Sequence, residues 1–308
     1  MNRKNKQQKI IPHLWFDKEA KEAAEFYVSA FGGDSAITSA TPILDTPSGD
    51  AEVVTFRLLG FEFMSISAGP IFTINPSVSF MVNFDPSRRT DARESLDALW
   101  EKLAQSGTVF MPLDKYPFSA RYGWIQDKYG VSWQLILSNP DRDARPNITP
   151  SLMFTNQVCG KAEEAMAYYT SVFKDSKAGM IARYGPDQPP DREGTVMYEA
   201  FSLWRQGFAA MDSARMHDFS FNEAISLVVN CDTQDEIDYF WGKLSAHPEA
   251  EQCGWVKDRY GLSWQIVPSR MGELMGGTAE QRARVTQAFL KMKKFDIATL
   301  ERAYEGYA

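Results

Sequence analysis

Three histidines, His13, His217 and His247, are all the imidazoles this chain offers for proton transfer or metal ligation, and they lie far apart in sequence. A nucleophilic triad needs a serine or cysteine held beside a histidine that an acid orients, and no Gly-x-Ser-x-Gly elbow or His-Glu-x-x-His helix pair is present. Cys159, Cys231 and Cys253 have no histidine adjacent in sequence and form no Cys-x-x-Cys pair, so they read as reduced thiols. Asp127 and Asp258 each precede a Tyr-Gly pair, which fits turn formation better than catalysis. Arg121 and Lys257 suit an anionic ligand, although solvated surface charge is the simpler expectation. His217 and His247 lie in polar, loop-like stretches and read as solvated. Trp124, Trp133, Trp255 and Trp264 lie close to turn signals and are expected in the core. His13 remains, beside Leu14-Trp15-Phe16, as the distinctive polar residue of an aromatic strand.

The elements that must position these residues come from a chain of 308 residues, long enough for two domains, with 44% hydrophobic residues to fill their cores. A net charge of -7 argues against a nucleic-acid partner, since phosphate neutralisation needs a basic surface. No stretch reaches the roughly 18 apolar residues of a membrane span. Residues 1–9 are basic but precede no long apolar run, and read as a flexible tail and not a signal peptide or anchor. A cytoplasmic location, with no membrane partner, is expected.

An internal repeat organises the rest. Gly123-Trp-Ile-Gln-Asp-Lys-Tyr-Gly-Val-Ser-Trp-Gln-Leu-Ile136 returns as Gly254-Trp-Val-Lys-Asp-Arg-Tyr-Gly-Leu-Ser-Trp-Gln-Ile-Val267. Weaker echoes follow in the same order: residues 12–16 match 150–154, residues 26–31 match 168–173, residues 79–85 match 226–232, and residues 99–103 match 240–244. The expected domains are residues 10–140 and 149–270, joined by a linker at 141–148 and followed by a helical extension at 271–308.

Within the first copy, residues 10–16 read as a strand, 18–31 as an amphipathic helix, and 52–59 and 61–67 as strands joined near Gly60. Residues 78–84 open a second unit, with a helix over 91–106 and a closing hairpin over 123–137. The fold class is therefore α+β, with two βαβββ-like modules per copy. In the extension, Thr278 is positioned to cap a helix over 279–293, with another over 296–304.

The run from Cys253 to Pro268, the upstream Phe221-Asn-Glu-Ala-Ile-Ser226 and the tail Met292-Lys-Lys-Phe-Asp-Ile297 closely resemble the PhnB-like branch of the glyoxalase/bleomycin-resistance/dioxygenase, or vicinal oxygen chelate, superfamily. Many members of that branch carry the label 3-demethylubiquinone-9 3-methyltransferase. The resemblance implies tandem glyoxalase-like domains, in each of which paired βαβββ modules form a curled mixed sheet around a cup. Methyl transfer is not expected. A glycine-rich turn between strand and helix is missing, and Gly32-Gly33 follows a helix instead.

In metal-using relatives, four strands project His and Glu side chains into the cup to hold one divalent ion. The matching positions in the first copy are His13, a residue within 61–67, Ser79 and Gln134. In the second they are Ser151, a residue within 208–212, Ser226 and Gln265. Neutral Ser and Gln are weak ligands, so no tight metal site is expected; the weak candidate is His13, joined by Glu62 if the pleat turns that carboxylate inward. The expected function is binding of a small hydrophobic molecule, without a confident cofactor, in cups lined by Trp15, Phe63, Met81 and Met211 together with those polar positions. The alternative is a lyase, isomerase or dioxygenase that uses a divalent metal. The expected assembly is a monomer whose copies imitate a dimer, or a homodimer.

Overall fold

A computed structural model describes residues 8–46, 49–139 and 145–307. Most of the expected N-terminal tail and residues 140–144 around the expected linker lie outside the described residues. The first copy runs β1 (Ile10–Phe16), α1 (Ala20–Phe31), β2 (Ala36–Thr46), β3 (Gly49–Leu58), β4 (Phe61–Ser67), β5 (Val78–Phe84), α2 (Ala92–Ala104), β6 (Thr108–Tyr116), β7 (Ser119–Gln126) and β8 (Ser132–Leu137). The second runs β9 (Ile148–Thr155), α3 (Ala162–Val172), β10 (Lys177–Arg183), β11 (Val196–Leu203), β12 (Gln206–Ser213), β13 (Ile225–Cys231), α4 (Gln234–Leu244), β14 (Trp255–Lys257) and β15 (Ser263–Pro268). Three helices follow, α5 (Met271–Met275), α6 (Ala279–Phe289) and α7 (Ile297–Glu305). No helix among the described residues is long and apolar enough to cross a membrane.

The strands form two mixed sheets whose order interleaves the copies. One has seven strands in the order β14-β15-β13-β1-β4-β3-β2, and the other eight in the order β10-β11-β12-β9-β5-β8-β7-β6. The first module of copy one thus shares a sheet with the second module of copy two, and the reverse holds for the other sheet. Antiparallel seams join them, Pro12 opposite Leu227 between β1 and β13 and Ser79 opposite Ser151 between β5 and β9. Inside each module the last strand runs parallel to the first and beside it, β1 to β4 and β5 to β8, which the intervening helix and strands permit.

The two modules of one copy instead meet through their helix-bearing faces. Phe63 on β4 packs against Phe80 on β5 at 5.0 Å between ring centroids, and Tyr27 on α1 against Trp133 on β8 at 5.3 Å. This places Phe63 in the core between modules and not in a cup, contrary to the sequence reading, because it alternates with Glu62 and Met64 across the pleat. Trp133 and Trp264 are fully buried at equivalent places, as expected.

Asp127 anchors this core. Its carboxylate accepts hydrogen bonds from the Tyr129 and Val131 backbone N–H groups, which form the expected turn, and also from the Tyr27 hydroxyl at 2.8 Å and the Trp133 indole N–H at 2.7 Å. Asp258 repeats the arrangement with Tyr260, Leu262, Tyr169 and Trp264. Burial pushes the Asp127 carboxyl up to about 6 against the lowering effect of its four donors. These acids, expected only in turns, tie helix to hairpin across two modules.

The extension supplies something the second copy lacks. In copy one, β6 covers the outer edge of β7, with Met111 opposite Trp124. At the corresponding edge of copy two, the Cys253 and Gly254 N–H groups donate to the Met292 and Lys293 carbonyls. Phe295 lies so close to Gly254 that a Cβ there would sit 2.6 Å from its ring, and Gly254 also has φ +83°. Meanwhile α6 packs against β2, at the far edge of the same sheet. Thr278 does cap α6 through a capping box, as the sequence suggested, and Asp296 caps α7. The helix over α6 ends at Phe289, short of the expected 293, since residues beyond it turn to meet Cys253.

Candidate functional site

Alternation along the strands sorts the candidate residues by face. In β1, Ile10, Leu14 and Phe16 belong to the core, leaving His13 and Trp15 on the helix-free face. His13 lies opposite Ser226 on β13 and beside Met64 on β4. Ser226 neighbours Ser263 on β15, and Gln265, two residues on, lies opposite Trp255 on β14. The sheet curls toward this face. Trp255 is three strands from β1 in the sheet order, yet its ring centroid is 5.8 Å from that of His13 and 6.2 Å from that of Trp15.

The sequence grouped His13 with Ser79 and Gln134, and Ser151 with Ser226 and Gln265. The strand pairing exchanges these sets, because each sheet takes one module from each copy: His13 sits with Ser226 and Gln265, and Ser151 with Ser79 and Gln134. The internal polar contacts match in both. Gln265 donates to the Ser226 hydroxyl at 2.9 Å, and Gln134 to the Ser79 hydroxyl at 2.9 Å.

His13 is 3% exposed, and its Nδ1 has no hydrogen-bond partner. Burial lowers its imidazole from 6.5 to about 4, so it is neutral at pH 7 and presents a ring nitrogen of unused hydrogen-bonding capacity. Glu62 does face this side, but Met64 occupies the strand position beside His13, one pleat repeat away. Glu62 lies opposite Arg57 instead, and burial raises its carboxyl while the guanidinium opposes that rise. The ring of positions around His13 is therefore Met64, Ser226 and Gln265, a thioether, a hydroxyl and an amide. Such a set does not fit the divalent ion of metal-using glyoxalase-like proteins, because nothing in it is anionic and it holds one imidazole. Among the described residues no cluster of three or more His, Cys, Asp or Glu side chains is arranged to hold a metal.

The helix-free face of the other sheet carries a packed cluster of apolar side chains beside its polar seam. Met81, Tyr122 and Ile136 are buried together, with Met111, Tyr116, Trp124 and Tyr198 packed on them. Tyr198 is on β11, across β12 and β9 from Met81, so this sheet curls as well. The Tyr122 hydroxyl donates to Gln134 Oε1 at 2.7 Å, extending the Gln134–Ser79 pair into a relay, and burial raises that phenol. Ser151, opposite Ser79, keeps a buried hydroxyl without a partner. Met211, on the same side of β12 as Ala209, also faces this side.

Trp124 and Trp255 were expected in the core alongside Trp133 and Trp264; they lie on the helix-free faces, opposite Gln134 and Gln265. The signal was available. Trp133 and Gln134 are adjacent in one strand and must face opposite sides, so a residue opposite Gln134 cannot share the face of Trp133. Arg121 is ion-paired with Asp97 on α2, 2.7 Å away, and Lys257 pairs with Glu223. His247 is partly exposed and lies 3.2 Å from Glu249, whereas His217 Nε2 lies 2.8 Å from the Ser213 hydroxyl and its ring leans on Phe219.

Paired βαβββ modules, sheets curled away from their helices and seams between duplicated copies define a glyoxalase-like protein. The chain aligns over 84% of its length with 91% of glyoxalase I from Zea mays at 10% identity and a TM-score of 0.50. It aligns over 94% of its length with 94% of a candidate dioxygenase from Bacillus subtilis at 9% identity and a TM-score of 0.50. At those identities the likeness is one of fold. A PhnB protein from Bacillus cereus is 40% identical over 42% of this chain and all of its own, with a TM-score of 0.38. The family model described as 3-demethylubiquinone-9 3-methyltransferase matches twice, at residues 8–136 and 146–267, and the chain belongs to that PhnB-like family in tandem, two-domain form. No curated protein matches it.

Proposed function

We propose that the face built around His13 binds a small, largely apolar aromatic molecule without chemistry of its own, the main polar anchor being the His13 ring. The observation that carries this reading is the buried, unpartnered Nδ1 of a neutral imidazole beside Trp255, with Trp15 alongside. A buried polar group left without a partner costs about 1–3 kcal/mol, so a ligand hydroxyl that satisfies it recovers affinity. The tryptophans supply flat apolar area, and with the Gln265 amide and Ser226 hydroxyl already bonded to each other, spare hydrogen-bonding capacity along the seam lies with His13 Nδ1 and the buried Ser263 hydroxyl, of which His13 is the one beside Trp255. Methyl transfer, which the family's description names, is not part of this reading: Gly32 caps the end of α1, and the sequence places no glycine-rich strand-to-helix turn elsewhere.

The test uses p-cresol and toluene, which differ by one hydroxyl, titrated against the full chain with tryptophan fluorescence as readout. We expect saturable binding of both, with p-cresol about tenfold tighter, the worth of about 1.4 kcal/mol for a hydrogen bond. His13→Ala should erase that preference and leave toluene binding nearly unchanged. If cresol fails to saturate, or its advantage survives His13→Ala, the reading is wrong. Stoichiometric metal in chelator-free protein, lost in His13→Ala, would install a metal-dependent lyase, isomerase or dioxygenase in its place.

A further inference from the structure

The other sheet carries a different chemistry, assembled around Arg145. This residue lies just ahead of β9, between the two copies. Its guanidinium carbon stands 5.7 Å from the centroid of the Tyr198 ring, and its Nη1 is 4.0 Å from Met81 Sδ. The backbone on which it rides is pinned: the Arg145 carbonyl accepts from Arg88 at 3.0 Å and the Pro146 carbonyl from Asn83 at 2.8 Å. A cation is thus held over an aromatic face at the helix-free side of a curled sheet, where Tyr198, Met81, Tyr122 and Trp124 belong to one apolar cluster.

We propose that this face is a recognition site for a small organic cation, and that Arg145 occupies it as an internal stand-in for the ligand. The negative faces of tyrosine and tryptophan rings attract a cation that is poorly hydrated, and a thioether is a soft, polarisable neighbour for it. Two observations lead here independently. One is the guanidinium itself, already placed against Tyr198 and Met81. The other is Ser151, 1% exposed, whose hydroxyl has no partner although Ser79, Gln134 and Tyr122 next to it are chained together by hydrogen bonds. Ser151 and Ser79 form a cross-strand pair on the face of Met81, so the spare hydroxyl belongs to this site and not to the core.

The contact that closes the site is weak. A guanidinium at 5.7 Å is near the roughly 6 Å limit of cation–π attraction, which contributes about 0.5–1 kcal/mol where water has access. A free cation able to approach the rings more closely displaces it. The ligand class is a methylated ammonium or guanidinium group, set apart by its charge from the neutral aromatic molecule assigned to the His13 face.

The probe is tetramethylammonium chloride, titrated calorimetrically into the full chain at constant chloride, with tert-butanol as the uncharged control. Arg145→Ala is expected to bind tetramethylammonium at least tenfold tighter than the unaltered protein and to show no such gain for tert-butanol. Arg145→Gln, which keeps a hydrogen-bonding side chain and removes the charge, should behave like Arg145→Ala. Adding Tyr198→Ala to Arg145→Ala should weaken the cation's binding about tenfold. The proposal is overturned if the Arg145 variants bind the cation within twofold of the unaltered protein, if tert-butanol gains equally, or if the Tyr198 change has no effect. None of these outcomes depends on whether His13 binds cresol.

Discussion

The two helix-free faces descend from one ancestral arrangement and now differ in what fills them. Both retain a serine–glutamine hydrogen bond at the seam between copies and a tryptophan opposite the glutamine. On the seven-stranded sheet the seam partner of the serine is His13; on the eight-stranded sheet it is Ser151. Beyond the glutamine, copy one offers Tyr122, which completes a relay, where the repeat puts Cys253 in copy two, bound to the extension through its backbone. The comparison teaches that duplication freed each face to change at single positions while the shared core held the frame. That frame is the pair of buried acids, Asp127 and Asp258, each bonded to a tyrosine of the first helix of its copy and to the tryptophan six residues on.

The largest expected effect tests whether the frame is as symmetrical as it looks. Asp127→Ala and Asp258→Ala each strand a buried phenol and a buried indole N–H, and each should lower unfolding free energy by about 3–5 kcal/mol in urea titrations. The two losses should agree within about 1 kcal/mol, since each substitution strands the same pair of side-chain donors. A large disparity would break the symmetry.

A second contrast lies on the helix side. The strand register aligns Glu199 with Val54, both fully buried, and neither Glu199 oxygen has a hydrogen-bond partner. Burial, with Asp212 and Glu163 adding repulsion and Arg183 opposing it, raises this carboxyl from 4.5 to about 7. The folded chain therefore holds a proton that the unfolded chain releases, and stability falls as pH rises from about 4.5 to about 7. Glu199→Gln should remove that slope and leave the protein more stable by roughly 3 kcal/mol at pH 8, read from denaturation midpoints across pH. An unchanged pH profile would show that Glu199 finds a partner in solution.

His13 gives the smaller effect and the opposite sign. Its imidazole is held at about 4 in the fold against 6.5 ordinarily, so the unfolded chain takes up the proton first. Stability is lost as pH falls below 6.5, by about 2 kcal/mol at pH 5. His13→Gln should flatten this acid limb, whereas substitutions at Ser151, the counterpart, should leave it in place.

Much of the frame was legible. The near-identity of residues 123–136 and 254–267 announced the duplication, alternation marked Phe61–Ser67 as a strand, and the run Val78–Phe84 marked the start of the second unit. His13 was singled out as the imidazole among positions matching the metal ligands of glyoxalase-like relatives, in an aromatic strand, and the structure places it on a curled face with Trp15 and Trp255. Arg145 and Tyr198 carried no such mark. One precedes a strand by three residues and the other is a lone tyrosine on its side of β11, and only curling across β12 and β9 brings them to Met81.

By itself the sequence determined the repeat, the period-two and helical patterns of its elements, and the poverty of metal ligands, since each depends on residue type and local spacing alone. The tertiary structure decided which modules share a sheet. Hydrogen bonding between β1 and β13 and between β5 and β9 satisfies strand edges equally well within a copy or across copies, and local pattern cannot distinguish these. That choice, made by packing the helix-bearing faces of one copy against each other, put His13 with Ser226 and Gln265 and left Ser151 with Ser79, Gln134 and Arg145.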